Sequence, residues 1–167
     1  MHGPDDHPLT DARASVKTPA ALRRDAAAGR ITLDEAMERE IARSCRLGSP
    51  LCLALLDIDN FKSINDRLGH TVGDAALVHL AQVTREVMRP QDLLARYGGE
   101  EFVLLLPDTN VESGVAAMTR LQRELTTRFF LQGSEKILIT FSAGVAQLHD
   151  SETSVDALQR ADKSMYL

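Results

Sequence analysis

Residues 50–59 read PLCLALLDID, a continuous apolar run that stops abruptly in acid. A strand with one wet face alternates polar and apolar side chains. An unbroken run of this length instead fits a strand buried on both faces, with Asp57 and Asp59 at its carboxyl end.

Around this strand the chain alternates. TLDEAMEREIARSCRLG (32–48) has helical spacing, a capping-box pair in Thr32 and Glu35, and Gly48 as its stop. Apolar residues at helical spacing run through 73–88 and 111–129, and 154–167 reads as a final helix with Ser154 as its cap. DLLARY and EFVLLLP flank Gly98 and Gly99 as the arms of a hairpin, and KILITFSAGVAQL (136–148) reads as one further strand. The order is helix, strand, helix, hairpin, helix, strand, helix. A hairpin inside an alternating order predicts a mixed central sheet flanked by helices, an α+β fold. Residues 1–31 are expected to be a tail or linker, with a short helix over 20–30 ended by Gly29, and residues 32–167 the one domain.

The 167 residues are 44% hydrophobic and 26% charged, enough for a single core. The formal net charge of −5 argues against a duplex nucleic-acid surface. It does not argue against a nucleotide, because a divalent cation can stand between carboxylates and phosphates. Cys45 and Cys52 lack metal-ligand pairing and are expected to be reduced, packed thiols of a cytoplasmic protein. No apolar run reaches the roughly 18 residues of a membrane span. The start, MHGPDDHPLTDAR, lacks the pattern of a signal peptide.

Two stretches carry chemistry. In LDIDNFKSIND (56–66), Asp57 and Asp59 are alternate residues, so on a strand both carboxylates point the same way. Carboxylates, backbone carbonyls and water suit a hard cation such as Mg²⁺. An EF-hand fails here, because Phe61 and Lys62 stand where that loop needs a ligand and a glycine. In RYGGEEF (96–102), Gly98 and Gly99 permit a positive-φ turn and close backbone approach. Glu100 and Glu101 should point to opposite sides of the strand they begin. Taken singly, the first stretch reads as an acidic strand end and the second as a polar turn. If the strands are neighbours, Asp57 and a hairpin glutamate share one or two cations beside a phosphate-accessible turn, a constellation suited to nucleotidyl transfer.

DIDNFKSINDRLGHTVGD and RYGGEEF, followed by ITFSAGVA (139–146) and RADKSMY (160–166), resemble the GGDEF family of diguanylate cyclases in order and spacing, from about residue 33 onward. The resemblance implies a fold similar to the palm of nucleotidyl cyclases and polymerases, with a ferredoxin-like core. It implies condensation of two GTP into cyclic di-GMP and two pyrophosphates. A Mg²⁺ (or Mn²⁺) site would be made by Asp57, Glu100 and the backbone carbonyl of Ile58. Asn65 and Asp74 would bind guanine. That pairing is chemically apt, because a carboxylate accepts from N1–H and N2–H₂ while an amide donates to O6 or N3. Phe61, Lys62, Gly98 and Gly99 would surround the phosphates, with Lys62 and Glu101 assisting catalysis. RPQD (89–92) has the R-x-x-D spacing of the family's product-inhibition site, which implies cyclic di-GMP held by Arg89 and Asp92. The family's catalysis implies a homodimer, each copy bringing one GTP, usually joined to a sensory domain.

Two features depart from the family pattern. Its opening string, D-x-L-T-G-L-x-N-R, has only partial counterparts in HPLTDARA (7–14) and DAAAGRI (25–31). Its lysine and glycine–arginine pair beyond the M-Y helix have no counterpart before Leu167, as expected of a C-terminally truncated domain. These departures keep a second reading in view, a catalytically silent module that binds cyclic di-GMP or GTP as a sensor.

Overall fold

A computed structural model describes residues 16–17, 33–149 and 152–165. In chain order its elements begin with β1 (Val16–Lys17), α1 (Leu33–Leu47), β2 (Leu51–Ile58), α2 (Phe61–Leu68) and α3 (His70–Val87). A hairpin comes next, β3 (Leu93–Arg96) and β4 (Glu101–Pro107), and then α4 (Val111–Thr126). Last come β5 (Phe130–Gln132), β6 (Glu135–Ile137), β7 (Phe141–Gln147) and α5 (Ser154–Lys163).

The apolar run forms β2, and every residue of it except Asp57 is buried. Cys52, Ala54, Leu56 and Ile58 face a core shared with α2, α3 and α4. Leu53 and Leu55 face a second core shared with α1 and α5. Helices on both faces are the reason the strand cannot alternate in polarity, and each buried leucine contributes about 1.5–3 kcal/mol over an exposed one. The five strands are ordered β1-β3-β4-β2-β7. β2 and β3 run in the same direction, but β4 lies between them, so every ladder among the described strands is antiparallel. The hairpin expected within the alternating order is what supplies that intervening strand.

The elements differ from expectation in several places. The residues before Asp74 are helical too: α2 fills 61–68, and α3 starts at His70, three residues earlier than its periodicity suggested. Gly69, at φ 92, makes the sharp joint between them. The helix expected over 111–129 ends at Thr126. The strand expected over 136–148 is split. Its start pairs with β5 as a small hairpin around Gly133, at φ +63, and only β7 joins the main sheet. The cap of α5 is Thr153 rather than Ser154: its hydroxyl accepts from the Asp156 N–H, and the Asp156 carboxylate accepts from the Thr153 N–H. Cys52 is buried, its thiol pushed up to about 12 by that burial, whereas Cys45 is exposed rather than packed. Gly48 stops α1 at φ 65 as expected. The helix expected over 20–30, the capping residue Thr32, both candidate counterparts of the family's opening string, and Tyr166 lie outside the described residues.

Candidate active site

Strand β2 delivers Asp57 to the rim of the sheet, where pairing register fixes its neighbours. Glu101 lies opposite it on β4 and Ser142 opposite it on β7. Glu100 sits in the turn just before β4, and its carbonyl accepts from the Ile58 N–H at 3.2 Å. The two glutamates were expected on opposite sides of one strand. Only Glu101 is in the strand, so that alternation does not apply, and the charges of both act on Asp57. Burial first, and then the Glu100, Glu101 and Asp59 carboxylates, push Asp57 up to about 7. Its Oδ1 is buried with no hydrogen-bond partner. Glu101 is also raised, by burial, then by Asp162 of α5 and by Glu100. Asp162 is a member of this acidic rim that spacing alone did not reveal.

Gly98 and Gly99 do not take positive φ, contrary to expectation. A side chain at 99 would meet open space, and one at 98 would stand 3.2 Å from a Glu101 oxygen. The turn is held from outside instead. Arg96 donates to the carbonyls of Gly98 at 3.2 Å and Gly99 at 2.8 Å, while the Tyr97 N–H donates to the Glu101 carbonyl at 2.8 Å. What glycine provides here is a bare backbone facing solvent, the surface a ligand can approach.

On the other side of β2, Phe61 and Lys62 open α2, with Lys62 exposed. Asn65 is half-buried on that helix, and Asp74 is exposed on α3. A feature missed in the sequence brings them together. A Cβ at Gly73 would fall 1.8 Å from Asn65 Oδ1, so the amide lies directly over the residue that precedes Asp74. The glycine of the VGD string was the available signal.

Arg89 and Asp92 are also brought together, but as a pair with each other. Arg89 donates to Asp92 Oδ1 at 2.8 Å, to the Pro107 carbonyl at 2.7 Å and to Thr109 Oγ1 at 2.9 Å, and its N–H donates to Asp92 Oδ2 at 2.9 Å. Asp92 is only 3% exposed with both oxygens engaged, so the expected contact from Asp92 to a guanine edge is not open. Arg89 remains partly exposed. Among the described residues, no group of three or more His, Cys, Asp or Glu is arranged to hold a metal on its own, and no helix is long and apolar enough to cross a membrane.

The sequence model described as "Diguanylate cyclase, GGDEF domain" matches residues 27–167. The chain belongs to the GGDEF family. It is 42% identical over 137 residues to the diguanylate cyclase DgcP of Pseudomonas aeruginosa, covering 82% of this chain and 20% of that protein. It is 36% identical over 126 residues to a diguanylate cyclase of Vibrio cholerae, covering 75% and 39%. This GGDEF chain thus spans less than half the length of those relatives. Among solved structures, the GGDEF domain of DgcB from Caulobacter crescentus, in complex with c-di-GMP, superposes with TM-score 0.74 at 34% identity over 80% of each chain. The active GGEEF domain of a Vibrio cholerae diguanylate cyclase gives TM-score 0.73 at 34% identity, covering 80% of this chain and 85% of that one. The α+β architecture of this chain is the GGDEF fold.

Proposed function

We propose that this GGDEF domain condenses two GTP into cyclic di-GMP and two pyrophosphates. The observation that carries the reading is the buried, unpartnered Oδ1 of Asp57 within a cluster of carboxylates. A buried carboxylate oxygen normally finds a donor, and like charges this close raise each other's proton affinity. A divalent cation answers both demands, so the residues fit one. Asp57, Glu100 and the backbone carbonyl of Ile58 would hold Mg²⁺ or Mn²⁺. When bound, the cation lowers the pKa of an attacking hydroxyl and neutralises charge on the phosphates.

The chain's own residues supply the rest. Asn65 and Asp74 read the guanine edge, and an adenine would leave both groups unpaired. The start of α2 carries no side-chain cap, so its first N–H groups and Lys62 are free to meet phosphate oxygens. With no side chain at Gly98 or Gly99, nucleotide can lie against the backbone of the turn that Arg96 holds. Glu101 lies beside the cation site and keeps its field negative. One copy offers one guanine-reading pair, so cyclisation needs two copies facing each other, each presenting a 3′-hydroxyl to the other's α-phosphate. Cyclic di-GMP would slow turnover by binding at the exposed part of Arg89, with Asp92 holding that guanidinium in place.

The test is turnover of GTP with Mg²⁺ by the unaltered chain and by Glu100→Gln. Cyclic di-GMP is expected from the first, and a loss on the order of 10²–10³-fold from the second. Equal rates for the two would remove Glu100 from the chemistry. The sensor reading predicts cyclic di-GMP binding without any turnover.

A further inference from the structure

The strand motif ITFSAGVA is accounted for neither by the metal carboxylates nor by the guanine pair, yet its two hydroxyls make a specific contact. We infer that Thr140 and Ser142 act through Asp59 as a clasp that positions the phosphate-facing end of α2, an inference that rests on the proposed binding of GTP. Asp59 is the first residue past β2. Its Oδ2 accepts from Thr140 Oγ1 at 2.8 Å, and its Oδ1 accepts from Ser142 Oγ at 2.7 Å. Its backbone N–H donates to the Thr140 carbonyl at 2.9 Å. Three bonds therefore tie one residue to two alternate positions at the start of β7.

The tie holds the junction between β2 and α2. The chain passes from strand to helix through Asp59 and Asn60, and Asn60 sits in the left-handed region at φ 58, ψ 29. Asparagine is among the few non-glycine residues that tolerate this region, so the residue at 60 itself permits the sharp strand-to-helix turn. Helix α2 begins at the next residue without a side-chain cap, and its first turn is otherwise held by Phe61 and Ile64 packing against the core. Asp59 is thus fixed on one side of Asn60, and the N–H groups of α2 are aimed from the other.

The clasp has a second consequence. Asp57 and Asp59 are both near the end of β2, and either is a plausible cation ligand by residue type. Both oxygens of Asp59 have neutral hydroxyl donors, while Asp57 Oδ1 has none. Thr140 and Ser142 therefore direct Asp59 to positioning and leave Asp57 to the cation. Thr140, Ser142 and Asp59 are all positioning residues: none touches the nucleotide in this reading.

The experiment is calorimetric titration of the chain with Mg²⁺ and a GTP analogue carrying a methylene α–β bridge, with thermal melts of the nucleotide-free proteins alongside. Thr140→Val and Ser142→Ala are each expected to weaken binding about tenfold, the scale of one lost charge-assisted hydrogen bond. Thr140→Ser and Ser142→Thr keep the hydroxyls and are expected to bind as the unaltered chain does. If Thr140→Val and Ser142→Ala lower the melting temperature but bind the analogue as tightly as the unaltered chain, the clasp is structural only and the inference is overturned, with the GTP reading intact. If the unaltered chain does not bind the analogue at all, the GTP reading falls and takes the inference with it.

Discussion

Asp57 is held in an environment that suits a cation and not a lone carboxylate. Its proton affinity is raised from an ordinary 3.8 to about 7 in the fold, with burial the leading cause. The folded protein therefore binds this proton more tightly than the unfolded chain does. The stability so gained is fully present below about pH 4 and is lost as pH rises through about 7. Metal-free Asp57→Asn lacks that loss, so it should melt higher than the unaltered protein at pH 8 and nearly level with it at pH 4. Thermal melts across pH check this, and Mg²⁺ should raise the melting temperature of the unaltered protein but not of Asp57→Asn. Glu101, raised in the same direction, adds a slope of the same sign to both proteins, and the difference between the two curves isolates Asp57. The same substitution should abolish turnover, so stability and activity move in opposite directions at this residue.

At the scale of elements, two glycines separate what the fold needs from what the site needs. A Cβ at Gly144 would fall 1.7 Å from the Ala161 backbone carbonyl, where α5 crosses β7. Backbone cannot swing aside, so Gly144→Ala should cost about 1–3 kcal/mol or more. That is a fall of several degrees in melting temperature at roughly 2–4 °C per kcal/mol. At Gly73 the obstacle is the tip of the Asn65 side chain, which can turn away. Gly73→Ala should therefore leave melting nearly unchanged while weakening GTP about tenfold, the scale of a disrupted hydrogen bond. Competition of GTP against ATP should show the lost preference. Neither role was read from the sequence, where the glycine of VGD was an available signal for Gly73 and Gly144 merely punctuates. Legible were the elements whose patterns are local: the apolar run of β2, the periodicity of α3, and the stop at Gly48. Less legible were α2, whose eight residues are too few to show a period, and the split of β6 from β7, which depends on the left-handed turn at Gly133. The carboxylates of the site could be named from their spacing. Their relation could not, because only the register of β2 with β4 and β7 sets Asp57 opposite Glu101 and Ser142.

At the scale of the whole molecule, two helical layers close on one sheet, and the site lies at the end of the sheet's most buried strand. The surfaces proposed to receive nucleotide, the Gly98–Gly99 turn and the start of α2, both lie near the end of β2 that carries Asp57. In the proposed reaction each copy brings one nucleotide, so cyclisation is expected to be second-order in protein until dimers saturate. Arg89, paired with Asp92 on a different stretch of surface, can be altered without touching the cation residues. Arg89→Ala should abolish inhibition by added cyclic di-GMP, measured as initial rate against product concentration. Its loss also leaves the buried Asp92 without its main donor, so the variant's melting temperature should fall as well. The decisive measurement is the initial rate of cyclic di-GMP formation from GTP and Mg²⁺ as protein concentration is raised. Product is expected, with a rate per mole of protein that climbs with concentration until dimers saturate. No cyclic di-GMP at any concentration, with Mg²⁺ or Mn²⁺ and with GTP demonstrably bound, would contradict the assignment of this GGDEF domain as a cyclase.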